Sequence, residues 1–127
     1  FIVQAIASTV IMAAIICLMT KTQQTSQMSL QSTFFLMINS ALMTKMGIAP
    51  FHFWFPEVLE GLDWTNCLLI LTWQKIAPMV LLMYNMNFNL FMTIVIASSM
   101  VVSGVMGVNQ ISTRKIMAYS SINHMSW

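Results

Sequence analysis

Charge is what this sequence has least of. Of its 127 residues, five are Lys or Arg and three are Asp or Glu, 6% in all. Soluble domains carry about 25% charged residues, and eight charges cannot cover a water-soluble protein of this size. With 58% hydrophobic residues and a mean hydropathy of +0.80, the chain falls outside the disordered, fibrous and nucleic-acid-binding classes. Its formal net charge of +2 rests on too few groups to imply an anionic partner. What these numbers leave is an integral membrane protein. Cysteine is equally scarce. Cys17 and Cys67 sit in or beside apolar runs with no CxxC and no nearby His, which argues against a metal site or a disulfide and for free buried thiols. No catalytic triad, metal cluster or nucleotide fingerprint is present. The stretch from Gly104 to Gly107 lacks the Lys-Ser/Thr ending and the preceding strand of a phosphate loop.

Both ends read as cut. The first residue is Phe1, and apolar text begins at once without the charged opening of a signal peptide. At the other end, Ala118 to Trp127 keeps a helical pattern that stops before it could cross a bilayer. The expectation is an internal piece of a longer polytopic chain, with residues 1–127 forming a single fragment of one transmembrane domain. Methionine is abundant at 14 residues. A code that reads some isoleucine codons as Met, as in animal mitochondria, would produce this; flexible packing filler is the other reading.

At about 20 residues per span, the chain holds roughly five crossings. Phe1 to Thr20 is a near-continuous apolar run. Lys21 to Gln31 is polar and reads as a loop, with Ser32 or Thr33 capping a second helix that starts near Phe34. That helix runs through Met46 and meets Gly47, Pro50 and Pro56, so it is expected to be broken near Gly47–Pro50. The aromatic stretch Phe51, Phe53, Trp54 and Phe55, with His52, then approaches the interface. Glu57, Glu60 and Asp63 mark a loop outside the hydrocarbon. A third helix runs from Trp64 to about Tyr84, a turn occupies Asn85 to Asn89, and a fourth helix runs from Leu90 to about Gly107. After a loop at Asn109 to Lys115, a truncated fifth helix begins. The fold class is therefore all-α, a polytopic transmembrane bundle. Ser99, Ser103 and Gly107 form a small-residue ridge suited to close helix packing. Lys21 lies on one side of the membrane, and Arg114 and Lys115 on the other with the acidic stretch, which leans inward by the positive-inside rule.

Two lysines do not belong to loops. Lys45 lies roughly 18 Å along its helix and Lys75 roughly 16 Å along the next, entered from the opposite face. Both therefore start near the middle of a hydrocarbon layer about 30 Å thick. Each such placement costs about 2.5–3.5 kcal/mol even on the lenient insertion scale. Removing water disfavours the charged form of an amine, so a lysine held there is poised to exchange its proton, and two at matching depth could pass one sideways. The rival reading is a pair of structural lysines bonded to carbonyls freed by the kinks. Broken helices beside charged groups are a usual construction of ion sites. Thr44 and Thr72 are placed to set a hydroxyl beside each amine, and Pro78 frees the carbonyl of Gln74. His124 falls at similar depth on the fifth helix, with Ser120 and Ser121 one turn before it, as a third relay candidate. A packing histidine is the alternative. His52 reads as an interfacial residue.

These residues also carry a resemblance. The text from Lys45 to Val58 (KMGIAPFHFWFPEV), the text from Leu71 to Pro78 (LTWQKIAP), and Asn109-Gln110 with Arg114 to Met125 (RKIMAYSSINHM) resemble the signature of the NADH dehydrogenase subunit 2 family, antiporter-like subunits of the membrane arm of respiratory complex I. The motifs occur in the family's order and cover the chain nearly end to end, and the Met-rich text looks like an animal mitochondrial version. The resemblance implies a multi-pass subunit of the mitochondrial inner membrane that moves protons during NADH oxidation by ubiquinone. Its broken-helix lysine matches Lys45 and its next lysine matches Lys75. It also implies an essential glutamate before Phe1 and a further lysine beyond Trp127. Ser126 stands where the family usually has Gly, a small-for-small exchange. NADH, FMN, iron–sulfur clusters and ubiquinone would belong to the rest of the complex, with no cofactor in this chain. Partners would be the other membrane-arm subunits, the lipid bilayer and protons, with no nucleic acid. A stand-alone cation/proton antiporter and a structural membrane subunit without an ion path are the alternatives.

Overall fold

A computed structural model of the chain describes residues 1–22, 28–85 and 90–127. Among these, seven helices follow one another: α1 Ile2–Thr22, α2 Met28–Met46, α3 Trp54–Glu60, α4 Trp64–Leu71, α5 Trp73–Tyr84, α6 Leu90–Val108 and α7 Thr113–Ser126. The all-α bundle expected from the sequence is what forms. Three stretches among the described residues, Ile2–Lys21, Trp64–Tyr84 and Leu90–Val108, are long and apolar enough to cross a membrane. The outer faces of α1, α4, α5 and α6 are lined by exposed Ile, Leu, Val and Met side chains, as in a multi-pass membrane protein, where the surroundings are as apolar as the side chains.

Packing divides into two cores. One joins Ala14 of α1 to Ile38, Leu42, Met43 and Met46 of α2, Leu82 of α5, and Met92 and Val95 of α6. The other joins Phe55 and Leu59 of α3, Cys67 of α4, and Ala118, Tyr119 and Ile122 of α7. The small-residue ridge of α6 performs as expected. Ser99 and Ser103 are buried, and a methyl group on Gly107 would lie 3.5 Å from the Tyr119 Cβ of α7.

Several boundaries differ from the sequence reading. Helix α2 already runs from Met28, so Ser32 and Thr33 lie inside it and do not cap it. Met, Leu and Gln are good helix formers even where polarity keeps a segment out of lipid. Residues 23–27 of the expected polar loop and residues 86–89 of the asparagine turn lie outside the described residues. Glu57 and Glu60 sit on the short helix α3, not in an open loop. The third span is divided into α4 and α5 at Thr72, whose backbone turns to φ −111° and ψ −70° while its amide and hydroxyl still bond the Leu68 carbonyl, at 3.1 and 2.7 Å. Helix α5 then continues through Pro78. Cys17 is exposed on α1, whereas Cys67 is buried as expected.

The break after α2 is a helix C-terminus of defined type. Gly47 takes the left-handed conformation, with φ of 70°. Its amide donates to the Thr44 carbonyl at 3.3 Å, and the Ile48 amide donates to the Met43 carbonyl at 3.2 Å. This pair of bonds is the Schellman arrangement, which satisfies carbonyls that the next turn would otherwise have used. Ile48 and Met43 accompany it in the first core. Pro50 then prevents the helix from resuming, and the chain re-enters helix at Trp54.

Candidate functional site around Lys75

Lys75 stands in the first turn of α5, just past the division at Thr72. It is only 6% exposed, and three helices enclose its amine. Nζ donates to the Ser121 Oγ of α7 at 3.1 Å. Ser121 in turn donates its hydroxyl to the Ala118 carbonyl at 2.7 Å, so its lone pairs are what the amine meets. On another side, Nζ lies 4.4 Å from the ring centroid of Phe55 on α3, within the reach at which an aromatic face attracts a cation. Among the described residues, the ion pair is Lys115 with Glu60, and no carboxylate pairs with Lys75. A buried ammonium is costly unless its protons are satisfied. Here one hydroxyl oxygen and one ring face do this without fixing the charge as a carboxylate would.

Phe55 is held on two further sides. The Trp54 ring stands edge-on to it, with centroids 5.5 Å apart at 86°. At Gly47, an added Cβ would lie 3.1 Å from both Cβ and Cγ of Phe55. The break in α2 therefore brings bare backbone against the ring that carries Lys75.

Lys45 is the penultimate residue of α2, directly before the break. The helix ends at Met46 as the sequence reading had it, so Lys45 keeps its expected place beside the break, while the earlier start at Met28 lengthens the helix before it. It is partly buried, its carbonyl accepts the Gln4 Nε2 of α1 at 3.3 Å, and its amine has no hydrogen-bond or ion-pair partner among the described residues. Lys45 and Lys75 are not bonded to each other; the contact of Gly47 with Phe55 connects their surroundings. His124 lies in the last turn of α7 with an exposed side chain, away from this enclosure. His52 is buried within the protein. The turn before α3 folds it inward, with its ring 4.4 Å from Phe53 and 6.5 Å from Tyr119.

The two threonines do not serve the lysines. Thr44 donates to the Ala41 carbonyl and Thr72 to the Leu68 carbonyl, both at 2.7 Å. Sequence reasoning missed Phe55 as a lysine partner and saw Ser121 only as a neighbour of His124. The available signals were an aromatic residue soon after a glycine break and a serine amid the apolar face of α7. Among the described residues, no three of His, Cys, Asp and Glu come together as metal ligands.

At the end of the bundle that holds α3 and the start of α7, Arg114 Nη1 donates to the Glu60 carbonyl at 2.9 Å and its guanidinium lies 5.2 Å over the Trp64 ring. Lys115 pairs with the Glu60 carboxylate at 2.9 Å. The acidic stretch and the basic pair thus share one face, as the sequence implied.

Comparison with known proteins agrees with this architecture. The chain is 50% identical over its whole length to NADH-ubiquinone oxidoreductase chain 2 of Anopheles gambiae. It is 43% identical to the Locusta migratoria protein of that name and 46% to that of Equus caballus, again over its whole length. It spans 36–38% of the length of these curated relatives. The family description "NADH:quinone oxidoreductase/Mrp antiporter, TM" matches residues 1–127 without remainder. A polytopic helical bundle with a broken helix and a buried, carboxylate-free lysine, matched from end to end in this way, belongs to the NADH:quinone oxidoreductase/Mrp antiporter transmembrane family.

Proposed function

We propose that these residues form the lysine-bearing part of a proton-translocating membrane subunit of NADH:ubiquinone oxidoreductase, respiratory complex I, in the mitochondrial inner membrane beside other membrane-arm subunits. The observation that carries this reading is Lys75: an amine buried among three helices of a membrane bundle, seated on a hydroxyl and a ring face, with no counter-charge among the described residues to hold it permanently as a cation. Family membership and relatives named as chain 2 of the oxidoreductase support the same assignment. Residues 1–127 act as one continuous piece of the antiporter-like domain.

In this mechanism Lys75 accepts and releases a proton at Nζ. Lys45, at the open end of α2, is the neighbouring relay group, and its amine is free to receive a proton through water. Gly47 and Pro50 maintain the break that leaves this amine at a helix end. His124 is a lesser relay group on α7, reached from the outer face of this segment. The chain itself holds no redox cofactor; electron transfer from NADH through FMN and iron–sulfur clusters to ubiquinone belongs to other subunits. The task here is proton movement alone.

The test replaces Lys75 with Met in the full-length subunit of the assembled complex and measures protons moved per electron passed from NADH. The ratio should fall severalfold. An unchanged ratio with both Lys45 and Lys75 replaced by Met would overturn the proposal. A stand-alone antiporter would instead purify apart from any large NADH-oxidising assembly.

A further inference from the structure

We propose that Phe55 is a positioning residue for proton transfer: its ring face seats the Lys75 amine, and its Cβ edge couples that seat to the break beside Lys45. This inference rests on the proton-relay reading above. Three contacts define the ring. Lys75 Nζ stands 4.4 Å from its centroid, Trp54 fixes its plane edge-on, and Gly47 backs its Cβ and Cγ so closely that a single methyl group would intrude. Phe55 is 1% exposed, so the ring cannot shift without moving one of these neighbours.

The geometry joins two lysines that share no bond. Gly47 is two residues from Lys45, and the break is closed only by the two bonds from the Gly47 and Ile48 amides. A change in the hydration or charge of Lys45 acts first on this helix end. Displacement of the break presses on Phe55 or releases it, and the ring carries that displacement to Nζ. Attraction between a cation and a ring face is spent beyond about 6 Å from the centroid, so a shift of an ångström or two switches the seat on or off. Leu or Met would fill the same apolar space, but only an aromatic face attracts a cation. Packing and positioning roles are therefore separable.

The experiment places Phe55→Met, Phe55→Tyr, Gly47→Ala and Lys75→Met in the full-length subunit of the assembled complex. Native electrophoresis reports assembly, and inner-membrane vesicles report protons moved per electron. Phe55→Met is expected to lower the ratio severalfold in assembled complex, and Phe55→Tyr, which keeps the ring face, to restore most of it. Gly47→Ala pushes a methyl group against Phe55 from the side of the break and leaves Lys75 itself in place, and it should lower the ratio as well. A parental ratio in Phe55→Met overturns the inference. So does a ratio in Phe55→Tyr as low as in Phe55→Met, or failure of both Phe55 variants to assemble, since either outcome marks the ring as packing alone. Lys75→Met separates the two claims. If it pumps normally, the relay reading itself fails; if it fails to pump while Phe55→Met pumps fully, only the coupling role is lost.

Discussion

Hydroxyl groups near the two lysines divide by what they face. Thr44 and Thr72 return their protons to carbonyls of their own helices, while Ser121 does the same and still offers lone pairs to Lys75. Ser121→Ala removes that acceptor and should reduce the proton-to-electron ratio by less than Lys75→Met does, because the Phe55 face remains. Thr44→Val should leave the ratio at the parental value, as a vesicle pumping assay would show. Spacing along the sequence identifies which residues are one turn apart, but not whether a hydroxyl prefers its own backbone. In a helix, the carbonyl three or four residues back is always within reach, and for both threonines it wins over a neighbouring amine.

Glycines in this chain do opposite work at different elements. Gly47 sits at positive φ against Phe55, where an L side chain costs about 1–2 kcal/mol in backbone energy alone. Gly47→Ala should therefore lower the thermal melting temperature of the assembled subunit. Gly107 lies in the last turn of α6, with room for a methyl at ordinary contact with Tyr119. Gly107→Ala should raise the melting temperature or leave it unchanged, since alanine in a helix is favoured over glycine by about 0.5–1 kcal/mol. The break after Met46 was legible because Gly47 and Pro50 leave the helix no way to continue. The α6 ridge was legible because four-residue spacing of small side chains defines one face. The division at Thr72 was not, because it is a local change of backbone angles at a residue that is no helix breaker. The start of α2 was missed because polarity was read as loop, although polarity decides only whether a segment sits in lipid. The burial of Lys75 was legible from depth; its partners on α3 and α7 required tertiary contacts between segments twenty and forty-six residues away.

Among the described residues, the two cores meet at Lys75, whose helix contributes Leu82 to the first and whose partners Phe55 and Ser121 lie on helices that build the second. One end of the second core is closed by Arg114, which bonds the Glu60 carbonyl and covers Trp64. Arg114→Ala should loosen this end, and hydrogen exchange at the α3 and α7 amides should speed up there. The exposed Lys115–Glu60 pair is different. The Glu60 carboxylate, through a hydrogen bond and its charge, raises the Lys115 pKa above the ordinary lysine value. Any stability from this shift is fully present below about pH 10.4 and is lost only as pH rises through the raised value. Lys115→Met should therefore change the melting temperature by the same small amount anywhere between about pH 6 and 9. The commitment of the Ser121 hydroxyl to Ala118 has one more consequence. A backbone carbonyl can receive that hydrogen but has nothing to hand onward, so the α7 side of Lys75 is a blind alley for charge. In the relay proposed above, traffic through the amine would therefore enter and depart elsewhere, with the serine a latch on the cargo rather than a stretch of wire.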